Sequence, residues 1–229
     1  MATIADNLQG VKARIARAAQ AAGRDPAAVT LLAVSKTHAP EKIAAAQTAG
    51  QRAFGENYVQ EALAKMDALP GLEWHLIGPL QSNKAKVAAE RFDWVQSVDR
   101  VKIANRLSEH RPAHLPPLNV LVQVNVSREA SKSGVAIEEV ARLIKAAAAL
   151  PRLRLRGLMA IPAPGDSQGF VVMKNLYAEL REPFGFDTLS MGMSDDMEAA
   201  IAHGSTMVRI GTAIFGQRRS STDGEKAAA

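Results

Sequence analysis

Thr30-Leu31-Leu32-Ala33-Val34-Ser35-Lys36-Thr37-His38 is the stretch on which the fold turns. Its apolar run shows no polar alternation, the pattern of a strand buried on both faces, as in parallel sheets. The strand delivers one amine, Lys36, at its carboxyl end, and Ala39-Pro40 then turns the chain into a helix. Ligands of α/β proteins are met at that end of the strands. A lysine leaving a strand is ordinarily solvated, so Lys36 acquires a role only if other chemistry converges on it.

Outward from this strand the same unit recurs. Upstream, Ile4, Leu8, Val11 and Ile15 repeat at helical spacing and predict an amphipathic helix over 3–22, ended by Gly23. Downstream, strands are predicted at 52–55, 74–78, 94–98, 120–126, 155–161, 188–191 and 207–210. Helices between them begin near Pro40, Glu56-Asn57, Ser82, Val101, Ile137, residue 168 and Ser194. Eight strands alternating with helices, without a composition shift, predict an α/β fold: a single-domain (β/α)8 TIM barrel over 1–217 with an extra N-terminal helix. The polar residues 218–229 read as a disordered tail. An open doubly wound sheet is the alternative, because periodicity does not show closure.

Composition narrows the function. Of 229 residues, 47% are hydrophobic and 22% charged, which suits a globular chain with a sizeable core. Cysteine is absent, so disulfides and thiolate metal sites are excluded, and a cytoplasmic setting fits. The N-terminus lacks the apolar core of a signal peptide, and no run reaches the roughly 18 apolar residues of a membrane span. The net charge of +5 is spread out and aromatics are only 4%, which argues against a nucleic-acid surface. The densest basic clusters are Arg218/Arg219 and Arg152/Arg154/Arg156. The latter alternates with Leu153 and Leu155, as in a strand with one wet face. The histidines at 38, 75, 110, 114 and 203 form no metal-binding spacing, and neither a phosphate-binding P-loop nor a Gly-x-Ser-x-Gly elbow occurs.

The informative region is Ser190-Met191-Gly192-Met193-Ser194-Asp195-Asp196-Met197-Glu198, followed by Arg209-Ile210-Gly211-Thr212. Each segment follows a predicted strand, the seventh and the eighth, where barrels hold phosphate. Gly192 would let the backbone approach an anion, and Ser194 would cap a helix and offer its hydroxyl. Gly211 and Thr212 would add backbone N–H groups and a second hydroxyl, and Arg209 positive charge. Ordinary helix capping, with Asp195 and Asp196 facing the helix dipole, explains the first segment equally well. Those carboxylates would repel a phosphate aimed at them. In a closed barrel Lys36 lies beside this cup, and an amine near a phosphate anchor suggests Schiff-base chemistry with a phosphorylated aldehyde. Pyridoxal phosphate is the candidate. His75 reads as a hydrogen-bonded core histidine, Met191, Met193 and Met197 as packing at the barrel mouth, and Asn57 as either a helix cap or a ring contact.

Six separated motifs carry a resemblance: Leu31-Leu-Ala-Val-Ser-Lys36, Phe54-Gly-Glu-Asn57, Trp74-His-Leu-Ile-Gly-Pro-Leu-Gln-Ser-Asn-Lys84, Ser131-Lys-Ser-Gly134, Arg156-Gly-Leu-Met-Ala-Ile161 and the run from Ser190 to Gly216. In colinear order over residues 5 to about 217, the chain closely resembles the pyridoxal phosphate homeostasis protein family. The resemblance implies an alanine-racemase-like barrel, of the fold-type III that binds pyridoxal phosphate, with the cofactor on Lys36. It places the other cofactor contacts at Asn57, Ser194, Arg209, Gly211 and Thr212. It also implies a carrier or regulator of the cofactor without established turnover, with apo forms of pyridoxal-phosphate enzymes as partners, no membrane or nucleic-acid partner, and a monomer or weak dimer. Lys132 reads as solvated, or as an acceptor of released cofactor. The rival is a pyridoxal-phosphate-dependent amino-acid racemase or decarboxylase. Racemisation needs acid–base groups on both faces of the substrate. The chain ends soon after the eighth strand, and its two tyrosines are Tyr58 and Tyr177, the latter on a predicted outer helix.

Overall fold

In a computed structural model, β1 (Thr30–Val34) pairs in parallel with both the following strand and the last one, and this double pairing closes the sheet. The structure describes residues 2–128 and 133–217; the expected tail at 218–229, with Arg218 and Arg219, and Lys132 lie outside the described residues. Around the ring in chain order follow β2 (Ala53–Glu56), β3 (Glu73–Leu76), β4 (Trp94–Val98), β5 (Leu118–Val124), β6 (Leu153–Ala160), β7 (Thr188–Ser190) and β8 (Met207–Ile210). Closure decides for the barrel and against the open sheet.

The helices are α1 (Ile4–Ala21), α2 (Pro40–Thr48), α3 (Val59–Ala68), α4 (Ala85–Arg91), α5 (Val101–His110), α6 (Val140–Ala148), α7 (Ser167–Phe184), α8 (Met197–Ala202) and α9 (Thr212–Phe215). A reciprocal capping box between Thr3 and Asp6 starts α1, which buries Leu8, Val11, Ile15 and Ala19. This added helix lies across α8, α9 and α2, over the seam where β8 meets β1. Arg14 pairs with Glu198 there, and the Asn7 amide donates to the Ile214 carbonyl at 3.0 Å.

Strand parity builds two cores. Leu31 and Ala33 of β1, with Val208 and Ile210 of β8, face the helical layer and belong to the large outer core. Leu32 and Val34 face inward with Ala53, Ile77 and Met207, and Trp94, Leu121 and Met159 form a second inner cluster. On the same parity Lys36 and Arg209 point to the barrel interior at its C-terminal mouth. Opposite the mouth, the Arg156 guanidinium lies 4.7 Å from the Trp94 ring centroid and binds Asp187, so this arginine does more than wet the strand.

Three sequence expectations change here. The helix expected from Glu56-Asn57 begins only at Val59, because Glu56 completes β2 as a buried strand residue and Asn57 lies in the turn beyond it. Likewise Ser194 does not cap a helix: α8 starts at Met197 with Asp196 at the cap position, and Ser194 sits in the preceding loop. Of the three methionines read as mouth packing, Met193 alone is exposed; Met191 and Met197 pack in the outer core.

Candidate functional site

At the C-terminal ends of the strands a cavity of about 450 Å³ opens, and Lys36, Asn57, Ser194, Arg209, Gly211 and Thr212 all line it. They come from the segments after β1, β2 and β7, from β8 itself and from the start of α9, so closure of the barrel brings them together. Lys36 is half-buried. The register pairs Leu32 with Arg209 and Ala33 with Ile210, which puts the two cations on adjacent strands.

Lys36 is held on both sides by a cluster outside the barrel wall. Lys65 of α3 is buried, and its Nζ donates to the Ser35 carbonyl at 2.8 Å, to Glu56 Oε1 at 2.7 Å and to Glu61 Oε1 at 2.6 Å. The Ser35 hydroxyl donates to Glu56 Oε1, and the Thr37 N–H donates to Glu61 Oε1. Thr37 takes a positive φ of 64°, a conformation unusual for a β-branched residue that these bonds hold in place. Burial pushes the Glu56 carboxyl above its ordinary pKa, opposed by the Lys65 and Ser35 hydrogen bonds. Sequence reading missed this cluster; the Glu61–Lys65 spacing of four along a helix was its one local sign.

Asn57 is set by Gly78. A Cβ at Gly78 would stand 2.2 Å from the Asn57 carbonyl oxygen, so the two segments approach as closely as they do because residue 78 has no side chain. Gly192 is required by packing: its φ is 97°, a Cβ there would meet the Ala200 Cβ of α8 at 2.5 Å, and it is not among the residues lining the cavity. Ser194 is held from outside by Arg14, which donates to its carbonyl at 3.2 Å while binding Glu198. The Asp196 carboxylate turns into its own loop and accepts from the Met193 N–H, whereas Asp195 lines the cavity. The Asp196 charge still acts on Arg209, whose protonated form it favours. Gly211 precedes and Thr212 opens the single turn of α9, in which the Ile214 and Phe215 N–H groups both donate to the Gly211 carbonyl.

Arg209 is the most constrained member. It is buried, its Nη1 donates to Ser190 Oγ and its Nη2 to the Ala160 carbonyl, each at 2.8 Å. Burial lowers its pKa to about 10, so it stays charged at neutral pH. Among the described residues no carboxylate forms an ion pair with it. A buried cation in that position calls for an anionic or electron-rich group in the cavity. With hydroxyls from Ser194 and Thr212 at the wall, the donor set fits a small ligand carrying phosphate and a carbonyl that an amine can attack. Sequence reading also missed Gln123, which lines the cavity; Leu121 at the same inward parity was the available sign.

The alanine racemase N-terminal domain family model matches residues 7–219. The pyridoxal phosphate homeostasis protein of Pseudomonas aeruginosa is 60% identical over 225 residues, covering 95% of this chain and 97% of that protein. Its counterpart in Escherichia coli K12 is 57% identical, covering 95% and 98%. The structure of PipY from Synechococcus elongatus with PLP bound superposes with a TM-score of 0.80 at 36% identity, covering 93% of this chain and all of that one. The chain belongs to the alanine racemase N-terminal domain family and, within it, to the pyridoxal phosphate homeostasis proteins.

Proposed function

We propose that this chain binds pyridoxal 5′-phosphate at the barrel mouth as a Schiff base on Lys36 and acts in cytoplasmic pyridoxal phosphate homeostasis as a carrier or regulator without strong catalysis. The observation that carries this reading is the convergence, in one cavity of cofactor size, of a half-buried amine and a buried guanidinium that forms no ion pair among the described residues. The pyridoxal phosphate in PipY, a relative over its full length, supports the same ligand here. When bound, the cofactor supplies an aldehyde that condenses reversibly with a lysine amine, releasing water.

The chain's own residues then divide the work. Lys36 provides the amine, with Ser35 and Thr37 clamped on either side of it. Ser194, Gly211 and Thr212 offer hydroxyl and N–H donors to the anionic group, Asn57 offers its amide, and Arg209 supplies fixed positive charge. Residues 1–217 form the binding barrel, to which 218–229 are appended. Apo forms of pyridoxal-phosphate enzymes are the partners this role calls for, and a monomer or weak dimer suffices for it.

Racemase or decarboxylase activity is the competing reading. Among the described residues lining the cavity, Lys36, Asp195 and Arg209 are the ionisable ones. Tyr58 is exposed beside the mouth, and Tyr177 packs on Phe186 in the outer layer. A second base facing Lys36 is what racemisation needs, and Asp195 is the one carboxylate among these lining residues that the racemisation assay tests in that role.

The test is direct. Wild type and Lys36→Ala are incubated with pyridoxal phosphate, their visible absorption is recorded, and borohydride-reduced samples are mapped by mass spectrometry. The reading expects a reduced adduct at Lys36 in wild type; its absence there overturns the assignment. Alanine racemisation and transfer to an apo-enzyme are then assayed side by side. Substantial racemisation without transfer would favour the enzyme.

A further inference from the structure

Beneath the cavity, a single file of hydrogen bonds runs through the barrel axis. Arg209 Nη1 donates to Ser190 Oγ at 2.8 Å, and Ser190 Oγ donates to Gln96 Oε1 at 2.7 Å. Gln96 Nε2 lies 2.9 Å from His75 Nδ1, and His75 Nε2 lies 2.8 Å from Glu73 Oε1. Ser190, Gln96 and His75 are fully buried, while the Glu73 side chain is about half exposed at the opposite end of the barrel from the cavity. Arg209 lines the cavity, whereas none of these four partners does.

Chemistry gives the file one direction. A guanidinium only donates, so the Ser190 oxygen accepts from it and its one proton goes to Gln96. Gln96 then accepts with its oxygen and presents its NH2 to His75 Nδ1, which must be the unprotonated ring nitrogen. The His75 proton therefore sits on Nε2 and points at Glu73. Burial lowers the pKa of His75, in keeping with a neutral ring, and its stacking on Trp94 at 5.0 Å fixes the ring plane. Every oxygen and ring lone pair along the file thus points toward the Arg209 end, where a cation without a contacting carboxylate needs acceptors.

We propose that Ser190, Gln96 and His75 are positioning residues that fix the orientation of the Arg209 guanidinium toward the ligand from below. This rests on the reading that the cavity binds pyridoxal phosphate. With two of its nitrogens committed to Ser190 and to the Ala160 carbonyl, Arg209 presents a single defined edge to the cavity. Its positive charge then stands at a set place relative to the ring of any ligand joined to Lys36. Glu73, joined to His75, anchors the file.

Two measurements test the proposal. In the cofactor-free wild type, ring ¹⁵N shifts should show His75 neutral with its proton on Nε2; a proton on Nδ1 would reverse the file and overturn the proposal without any substitution. Ser190→Ala should then raise the Kd for pyridoxal phosphate by about three- to tenfold and move the visible maximum of the bound cofactor. Ser190→Thr, which keeps the hydroxyl, should restore both. A folded Ser190→Ala protein whose affinity and spectrum match wild type would refute the positioning role while leaving the Lys36 assignment standing. Failure of wild type itself to take up the cofactor would instead refute the functional reading, and this positioning role with it.

Discussion

Replacing Lys65 with methionine separates the barrel's support from its site. The substitution keeps the helix and most of the volume but removes the one cation that, among the described residues, contacts Glu56, whose side chain is wholly buried. Glu56 Oε2 already lacks a hydrogen-bond partner, and Oε1 would keep only the Ser35 hydroxyl. Breaking a buried pair from one side costs about 3–5 kcal/mol, or on the order of 6–20 °C in Tm for a chain of this size. Burial already raises the Glu56 pKa, and without Lys65 it rises further. A carboxyl with a higher pKa folded than unfolded (about 4.3) binds more protons in the native state between those values. The stability of the variant therefore falls as pH rises through that window, by up to about 1.4 kcal/mol per pH unit. Below the unfolded pKa, Glu56 is protonated in both states and the gap to wild type narrows. Urea unfolding followed by circular dichroism from about pH 5 to pH 8 measures this. A gap from wild type that stays constant across this range, or below about 1 kcal/mol at the alkaline end, would refute the reasoning. Because Lys65 and Glu61 also hold Ser35 and Thr37, the folded variant should load less pyridoxal phosphate than wild type at equal concentration.

Three further outcomes are expected. Lys36→Ala should abolish the borohydride-fixed adduct while leaving the urea midpoint nearly unchanged, since its side chain is only half-buried. Arg209→Met should weaken pyridoxal phosphate binding tenfold or more, about 1.4 kcal/mol or above, in equilibrium titrations, because methionine supplies neither charge nor donors. Gly78→Ala should cost about 1–3 kcal/mol in chemical denaturation and lower affinity as well, since the added carbon would force the Asn57 backbone away. Wild-type stability of that variant would contradict the close approach.

Much of this protein is determined locally and could be read from its sequence. Whether a strand is buried on both faces is written in its run of residues, so β1 and its companions stand out. Parity along a strand is local too, which places Lys36 two residues beyond Val34 on the inward side. The motifs after the first, second, seventh and eighth strands carried the family resemblance, and closure brings their residues to one cavity. Other features depend on which residues of distant strands arrive at the same height, and the stagger of a closed barrel sets this. Glu56 looked like the start of a helix because a charged residue rarely ends a buried strand; Lys65, nine positions later, makes it tolerable there. Ser194 looked like a cap because the loop after β7 has capping residues in excess, and packing of Gly192 against Ala200 decided where α8 begins. The file from Arg209 to Glu73 joins β8, β7, β4 and β3, and no window of sequence contains it. Sequence by itself determined the alternation of eight strands with helices and, through its motifs, the segments that carry the mouth residues; tertiary structure alone decided that the sheet closes and what holds those residues, because strand pairing and buried polar groups find their partners across the barrel rather than along the chain.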